Sequence, residues 1–232
     1  MTTGQKIIKY CAMAFALFLI LNILNGICSA VFCVAGLTGK NNSEYMKKGA
    51  KEYVIEEDVN ELKIDLSVAE LEIKTGDELK VETNHRYIQC RVDDGCLVIQ
   101  EKRPFLGMNA KGMNVCLTIP ESMVWESIDM DAGIGDVTIE DVSLNNADID
   151  IGIGELDLTG ELTGECNIDY GIGETNLVLY GSADDYQIEL DKGIGEATLD
   201  NMKMGDDSIY GSGKNHISVD GGIGELNISF YR

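Results

Sequence analysis

Proline and histidine are both scarce in this 232-residue chain, which has only two of each. Glycine is abundant at 26 residues, and much glycine with little proline suits a sheet with many corners rather than a disordered linker. The two histidines, His85 and His216, have no metal-ligand spacing to any cysteine. The chain also lacks a Gly-x-Ser-x-Gly nucleophile elbow, a phosphate-binding loop and a dinucleotide fingerprint, so no catalytic motif is recognisable.

Basic residues are few as well, with 18 Lys and Arg against 40 Asp and Glu and a net charge of −22. The imbalance is greatest from Glu126 onward, where 24 acidic residues face four basic ones. Proteins that bind nucleic acid need Lys and Arg to neutralise phosphates, so the composition excludes nucleic acid as a partner. It favours cations, basic peptides or simple solubility instead.

The main feature of the chain is a short phrase, Gly-Ile-Gly followed by an acid, that occurs five times at spacings of 19, 19, 22 and 29 residues. A near-constant period of this size is typical of proteins built from stacked repeats. The glycines of the five copies are Gly133, Gly135, Gly152, Gly154, Gly171, Gly173, Gly193, Gly195, Gly222 and Gly224. The acids that follow them are Asp136, Glu155, Glu174, Glu196 and Glu225.

Apolar residues alternate on each side of the phrase but change phase across it. In the second copy, Ile149, Ile151 and Ile153 alternate, and the series resumes one position out of phase at Leu156 and Leu158. Alternation predicts half-buried strands, and a shift by one residue requires a bend, which glycine allows. Each repeat is therefore predicted to be a strand, a glycine corner and a second strand. Stacked repeats would place isoleucine on isoleucine inside and the corner acids outside.

The predicted β-structure begins well before the regular repeats. Ser67-Val68-Ala69-Glu70 has the pattern of a sixth, degenerate corner, and Asp93-Asp94-Gly95 is a hairpin turn signal. Arg103–Gly107 is predicted as a loop, and no stretch after Leu37 has a helical period. The less regular strands are predicted at Leu79–Glu82, Tyr87–Val92, Leu97–Gln100 and Val115–Ile119.

The N-terminal part divides into a short start at 1–9, an apolar segment at 10–37 and a polar spacer at 38–60. The apolar segment is long enough to cross a bilayer as a helix, and it is either an anchor or a signal peptide cut near Cys28-Ser29-Ala30. We favour the anchor because the apolar run continues past that site. A basic start before an apolar run is typical of export signals, so we predict the amino terminus inside and the repeat domain outside. The repeat domain is expected at 61–232, irregular to 125 and regular from 126.

Two series of acids are candidate binding groups. In-register corner acids would lie about 4.8 Å apart, where they repel unless a cation bridges them, so they are candidates for a calcium ladder. The simpler explanation is that each carboxylate accepts backbone N–H groups or points at solvent. The second series would bind basic peptides or wall polymers, or would form only the wet face of a sheet. Its members are Asp129, Asp131, Asp148, Asp150, Asp157 and Asp169.

The cysteines carry no metal spacing. Cys11, Cys28 and Cys33 lie in the apolar segment. Cys90 and Cys96 flank the predicted turn and would pair across the hairpin in an oxidising compartment. The remaining two, Cys116 and Cys166, are predicted to be buried as small apolar residues.

The Gly-Ile-Gly corners, the strand-rich region from about Leu62 and the apolar N-terminal segment resemble the bacterial putative-adhesin family of envelope proteins, also called the toastrack domain. The resemblance covers about three quarters of the chain. It implies an all-β, right-handed β-solenoid at the cell envelope, associated with adhesion and with envelope-stress sensing. The family has no established catalytic residues, so the resemblance assigns none here.

Together these observations predict a non-enzymatic, membrane-anchored protein that acts in surface adhesion or interaction, or senses envelope stress through cationic ligands. Basic peptides, cell-wall polymers and other envelope proteins are the candidate partners. No cofactor is expected, and calcium is the one candidate ion. The rival hypothesis is a calcium-stabilised structural rod. A glycan-active β-helix enzyme is disfavoured, because a regular array of acids is the opposite of one tuned carboxylate pair. The oligomeric state is not predicted.

Overall fold

The computed structural model describes residues 51–102 and 113–231, and these residues fold almost entirely as β-strands. The all-β prediction is confirmed: the described residues form strands joined by turns and loops, and the one helical element among them is a 3-10 turn at Ala183–Asp185. The strands are β1 (Lys51–Val54), β2 (Glu61–Val68), β3 (Glu70–Gly76), β4 (Lys80–Thr83), β5 (Ile88–Asp93), β6 (Cys96–Glu101), β7 (Asn114–Pro120), β8 (Ser127–Asn145), β9 (Ala147–Thr163), β10 (Glu165–Tyr180), β11 (Tyr186–Asp191), β12 (Ile194–Leu199), β13 (Met202–Lys203), β14 (Ser208–Gly211) and β15 (Asn215–Tyr231).

Several predictions fall on parts of the chain outside the described residues. They are the short start, the apolar segment with its three cysteines, most of the spacer and the loop at Arg103–Gly107. None of the described segments forms a helix with the length and hydropathy needed to span a bilayer.

The strands form one open sheet of fifteen strands whose central part is a stack of six parallel rungs. A rung is either one long bent strand or two consecutive strands that meet at a corner. The order is β2 with β3, then β8, β9, β10 and β15, and finally β11 with β12. We call the residues of a rung before its corner the first arm and those after it the second arm.

The order of rungs in the stack differs from their order in the chain. The strand β15 comes last in sequence, yet it pairs with β10 on one side and with β11 and β12 on the other. The fifth Gly-Ile-Gly phrase therefore lies between the third and the fourth. The extra residues that separate the fourth and fifth phrases form β13 and β14, which pair antiparallel with β12 and β11 at the end of the stack.

The irregular strands extend the opposite end of the stack. On the first-arm side β6 pairs with β2, and β5 pairs antiparallel with β6. On the second-arm side β7 pairs with β3, followed by β4 and β1. The hairpin turn signal is confirmed, since Asp94 and Gly95 form a two-residue loop with positive φ angles of 48° and 84°. The four predicted strands agree with β4 to β7 to within one residue at each end.

The core follows the predicted alternation and phase change. In the first arm of β9, Ile149 and Ile151 are buried, and in its second arm Leu156 and Leu158 are buried. The same pattern recurs in each rung, so the inward side chains of both arms join one hydrophobic cluster. Trp125, the only tryptophan of the chain, is fully buried in this cluster just before β8.

The corner isoleucines lie outside this core, contrary to the prediction that they stack inside. Ile153 is half-buried, Ile223 is 47% exposed and Ile194 is 70% exposed. The inward series of β9 stops at Ile151 and restarts five positions later at Leu156. In a regular strand, inward side chains are separated by an even number of residues. The gap of five therefore means that the chain bends between the two arms, and the residue at the corner points away from the core.

The end of the predicted spacer is part of the folded sheet. Lys51–Val54 forms β1, and the Ile55 N–H donates to the Leu79 carbonyl at 2.9 Å. The side chains of Tyr53, Ile55 and Val59 pack against the core cluster. Alternation of apolar residues over these positions is too short to be distinguished from a polar linker by sequence.

The proposed bridge between Cys90 and Cys96 is not formed, and both thiols are free. The tight turn sets a register in which Cys90 pairs with Ile99 and Cys96 pairs with Asp93. Successive pairs of a hairpin point to opposite faces, so cysteines three pairs apart lie on opposite faces of the sheet. The buried positions predicted for Cys116 and Cys166 are confirmed.

Candidate functional site at the glycine corners

The corners of the six rungs lie directly above one another. Gly154 pairs with Gly135 on one side and with Gly173 on the other, and the register continues through Gly224 to Gly195. The first glycines of the phrases follow the same order, with each placed over the corresponding residue of the previous rung. A corner residue of one rung is thus about 4.8 Å from its equivalent in the next.

Close approach of neighbouring rungs is the reason that the corners are glycine. A Cβ atom built on Gly154, whose φ is +155°, would lie 1.8 Å from the carbonyl oxygen of Gly135. Backbone atoms cannot be displaced as a side chain can, so no other residue fits this position without moving a rung. A Cβ atom added to Gly135 would likewise point at the rung before it and meet the carbonyl of Ala69.

The degenerate corner is the first rung of the stack. Val68 pairs with Ile134 and Leu71 pairs with Val137, so Ser67–Glu70 lies in register under the first regular phrase. Because each corner crowds only the rung before it, the first rung has no preceding corner carbonyl to avoid. Serine and alanine are therefore accommodated there.

The side chain of Glu101, at the end of β6, takes the place of a preceding corner. Its Oε2 accepts the backbone N–H groups of Ser67 at 2.9 Å and Val68 at 3.2 Å. These are donors that a neighbouring rung would otherwise pair. Glu101 is buried, and sequence reasoning missed it because an acid at the end of a strand gives no signal of this role.

The corner isoleucines form a continuous apolar line on the outer side of the corners, which we call the isoleucine ridge. Its members are Val68, Ile134, Ile153, Ile172, Ile223 and Ile194, in the order of the rungs. All of them are half-buried or exposed.

The corner acids form a second line, the corner-acid column. In rung order it consists of Glu70, Asp136, Glu155, Glu174, Glu225 and Glu196. Burial raises the pKa of Glu155 above its ordinary value, and the charges of Asp157, Glu174 and Asp136 raise it further. Burial likewise raises the pKa of Asp136. The ionised forms of these two column members, Glu155 and Asp136, are therefore disfavoured by their surroundings and by nearby acids.

An aspartate column runs on the other side of the ridge. In rung order it consists of Asp65, Asp131, Asp150, Asp169, Asp220 and Asp191. Burial raises the pKa of Asp169, and the charges of its column neighbours Asp220 and Asp150 raise it further. The pKa of Asp131 is raised in the same way, by burial and then by Asp150 and Asp65.

The pattern of outward acids in the sequence predicts only part of this column. Asp131, Asp150 and Asp169 were recognised as outward acids, whereas Asp65, Asp191 and Asp220 were missed. The remaining predicted outward acids lie outside the column. Asp129 pairs with Asp148, two residues before Asp131 and Asp150 on the same face, and Asp157 lies in the second arm of β9.

Within residues 51–102 and 113–231, lysines form ion pairs with acids only at the two ends of the stack. Lys203 donates to Glu196 at 2.7 Å and lowers the pKa of that carboxyl, and Lys192 donates to the carbonyl of Gly195 at 2.8 Å. At the other end Lys63 contacts Asp129. Residues 113–191 include no Lys, Arg or His, so the acids of the middle rungs have no basic residue from their own strands.

The predicted calcium ladder remains a prediction. Among residues 51–102 and 113–231, the one group of three potential ligands within 4.8 Å of one another is Asp191, Asp206 and Asp207. All three carboxylates are exposed, and Asp206 also accepts the Lys192 N–H at 3.1 Å. The pattern that points to this cluster is the Asp206-Asp207 pair in the connection between β13 and β14.

A cavity of about 280 Å³ lies away from the corners, where the ends of β3 and β7 meet the bulge of β8. Glu121 and Asp141 contribute its two carboxylates, and the Asp141 carboxylate accepts a hydrogen bond from the Tyr180 hydroxyl. The other lining residues are Thr75, Ile119, Pro120, Met123, Val142 and Ser143.

Comparison with known proteins identifies the fold. A crystal structure described as a putative cell adhesion protein from Clostridium sporogenes has a TM-score of 0.58 at 20% identity, over 78% of this chain and 99% of that one. A putative adhesin from Bacteroides fragilis has a TM-score of 0.38 at 15% identity, over 78% and 96%. A putative lipid binding protein from Parabacteroides distasonis has a TM-score of 0.32 at 14% identity, over 79% and 97%.

No family model matches the chain, and no curated protein matches it. The Clostridium sporogenes structure is described as a putative cell adhesion protein, in agreement with the resemblance drawn from the Gly-Ile-Gly corners. At 20% identity the first of these likenesses shows a shared fold.

Proposed function

We propose that this chain is a non-enzymatic, membrane-anchored envelope protein whose β-domain faces outward and binds cationic partners through its corners. The observation that carries the proposal is the pair of carboxylate columns, each six acids long, on either side of the isoleucine ridge. A positive charge placed beside Glu155 or Asp169, whose pKa values are raised, would stabilise the ionised carboxylate. The adhesion role in the descriptions of the neighbouring structures agrees with a surface used for contact.

In this proposal the apolar segment at 10–37 is the anchor, and the domain meets basic peptides, cell-wall polymers or other envelope proteins outside the cell. Binding of cationic peptides that attack the envelope would make the domain a stress sensor. Shaving intact cells with protease tests the orientation, because an outward domain is digested and an inward one is protected. Protection of the domain on intact cells would contradict the proposal.

The proposed architecture is a right-handed β-solenoid. Its support is the parallel, in-register pairing of six rungs, with both arms of each rung contributing to one core. Because β15 lies between β10 and β11, the connection from β14 to β15 returns the chain from the end of the stack to a position beside β10. An experimental structure tests the coil directly, since left-handed or mixed connections between rungs would rule out the solenoid.

Peptide binding at two salt concentrations tests the proposed function. A lysine-rich peptide is expected to bind in about 0.01 M salt, where the Debye length is about 30 Å, and to be released in about 1 M salt, where it is about 3 Å. A glutamate-rich peptide of the same length is the control. Failure of the lysine-rich peptide to bind at low salt would refute the role in binding cationic ligands.

The calcium-stabilised rod is the second candidate, favoured by the spacing of the columns. A specific calcium site raises the melting temperature with occupancy, adding about 2.7 kcal/mol at one hundred times the dissociation constant. Magnesium is the matched control because it demands smaller, octahedral sites. A rise with calcium alone supports the rod, and an equal rise with both ions indicates screening of the columns.

A further inference from the structure

The isoleucine ridge and the two carboxylate columns form one surface with a defined pattern, which we call the corner face. In each rung the column aspartate precedes the ridge residue by three positions, and the corner acid follows it by two, as in Asp150, Ile153 and Glu155. The pattern repeats in register through the rungs. The corner face is therefore an apolar line with negative charge along both edges.

The charge of the corner face discriminates among the partners that an apolar line could attract. A second copy of the chain carries the same net charge of −22 and the same columns, so like charges would face each other. A lipid surface with anionic head groups is repelled for the same reason. A partner with an apolar stripe edged by Lys or Arg is complementary to the corner face, because its apolar residues meet the isoleucine ridge and its basic residues meet the two carboxylate columns.

The shape of the pattern selects a helix over an extended segment. Side chains of a strand alternate between two faces, so a strand presents one row to the surface and cannot flank an apolar row with two basic ones. An amphipathic helix presents an apolar stripe with polar residues on both sides. Six rungs at about 4.8 Å span about 24 Å, which a helix covers in about 16 residues.

The end rung shows how the corner face receives ammonium groups. Lys203 binds the corner acid Glu196, and Lys192 binds the carbonyl of the corner residue Gly195. The equivalent acids of the middle rungs are Glu155 and Glu174. Residues 113–191, which include β8, β9 and β10, contain no lysine or arginine that could pair with them. Within the described part of the chain, no Lys or Arg forms an ion pair with Glu155 or Glu174, so the middle of the corner face offers the same acceptors to the cations of a partner.

We propose that the corner face is the docking site for a cationic amphipathic helix of about 16 residues lying along the stack, with its apolar stripe on the isoleucine ridge. The proposal rests on the proposed function and specifies its site and the kind of ligand. The helix lies across the strands of the rungs, and its basic residues reach the carboxylates of both columns.

The test uses the full chain in nanodiscs of zwitterionic lipid and a fluorescent Leu/Lys peptide of about 16 residues designed as an amphipathic helix. A peptide of the same composition in scrambled order is the ligand control. Anisotropy measures binding at low salt, and the buried Trp125 reports whether each variant is folded.

Three triple variants separate the parts of the corner face. The ridge variant is Ile172→Thr, Ile223→Thr and Ile194→Thr. The column variant is Glu155→Gln, Glu174→Gln and Glu225→Gln. The charge control is Glu161→Gln, Glu165→Gln and Asp184→Asn, which removes three exposed acids away from the corners. The ridge substitutions are at half-buried or exposed positions and keep β-branched side chains, so the stack is expected to fold.

The wild-type chain is expected to prefer the amphipathic peptide, and the ridge and column variants to bind it at least about tenfold more weakly. The charge control is expected to stay within about threefold of wild type. Binding of the scrambled peptide as tightly as the helix, or unchanged binding by the ridge variant, would overturn the docking site but leave cationic binding intact. Absence of binding to either peptide would overturn both proposals.

Discussion

Substituting Gly154 by alanine tests the account of the corners most directly. The added Cβ would lie 1.8 Å from the Gly135 carbonyl oxygen and 2.7 Å from its carbon, and the φ of +155° disfavours any side chain. Backbone strain of this kind costs about 1–3 kcal/mol, and overpacking costs about 1–3 kcal/mol more. We expect the free energy of unfolding to fall by about 2–6 kcal/mol, a large part of the 5–15 kcal/mol of an ordinary domain.

The matched control is Ala69→Gly, which changes the equivalent position of the first rung in the opposite direction. Ala69 has no preceding corner carbonyl to avoid, so its replacement by glycine is expected to cost only the ordinary backbone entropy of a glycine, about 0.5–1 kcal/mol, plus about 0.8 kcal/mol for its buried methyl group. Both proteins are unfolded in urea and followed by fluorescence of Trp125, the only tryptophan and fully buried.

A loss in Gly154→Ala no larger than that of Ala69→Gly would refute the reasoning. It would mean that neighbouring rungs separate enough to admit a methyl group, so that close approach of the backbones is not what requires glycine. A change in the urea dependence without a change in midpoint would indicate instead an altered unfolded state.

Three further predictions follow from contacts described above. Glu101→Ala removes the acceptor of the Ser67 and Val68 N–H groups. It is expected to lower the free energy of unfolding, measured in urea, by about 1–3 kcal/mol. Glu101→Gln should lower it less, because glutamine keeps an acceptor oxygen. Burial raises the carboxyl pKa values of Glu155, Asp136, Asp169 and Asp131, so these groups hold more protons in the folded state than in the unfolded state. The melting temperature should therefore be highest below the ordinary carboxyl pKa and fall as pH rises through the raised values. A melting temperature that increased over that interval would contradict the assigned directions. Deleting Asn215–Tyr231 leaves β10, β11 and β12 without a common neighbour and should abolish the cooperative transition seen by circular dichroism, whereas retention of that transition would show that the earlier rungs are stable alone.

The repeat phrase and the alternation of apolar residues around it were enough to predict the all-β fold and the positions of its corners. Periodicity identifies strands because the core is built from side chains two apart, as with Ile149 and Ile151. The phase change at Gly154 identifies the corner because a strand cannot turn over without a bend. The short hairpin at Asp94-Gly95 was predicted for a similar reason, since few residue pairs accept positive φ twice in succession.

Features that depend on contacts between distant residues were missed. Alternation placed Ile153 inside because it continues the series of Ile149 and Ile151, but the bend begins one residue earlier than the pattern shows. The carboxylate of Glu101 finds its partners 33 and 34 residues away, and no local pattern records such a contact. The full aspartate column required the register of all six rungs.

The location of β15 gives the synthesis of this protein an unusual constraint. During synthesis, β11 and β12 are completed before β15, the strand that joins them to β10, so until Asn215–Tyr231 is present they can pair only with β14 and β13. A translation product interrupted earlier would display two long unsatisfied strand edges, which invite aggregation and attract proteases. Assembly of the complete stack therefore depends on β15, which follows every other described strand in the chain.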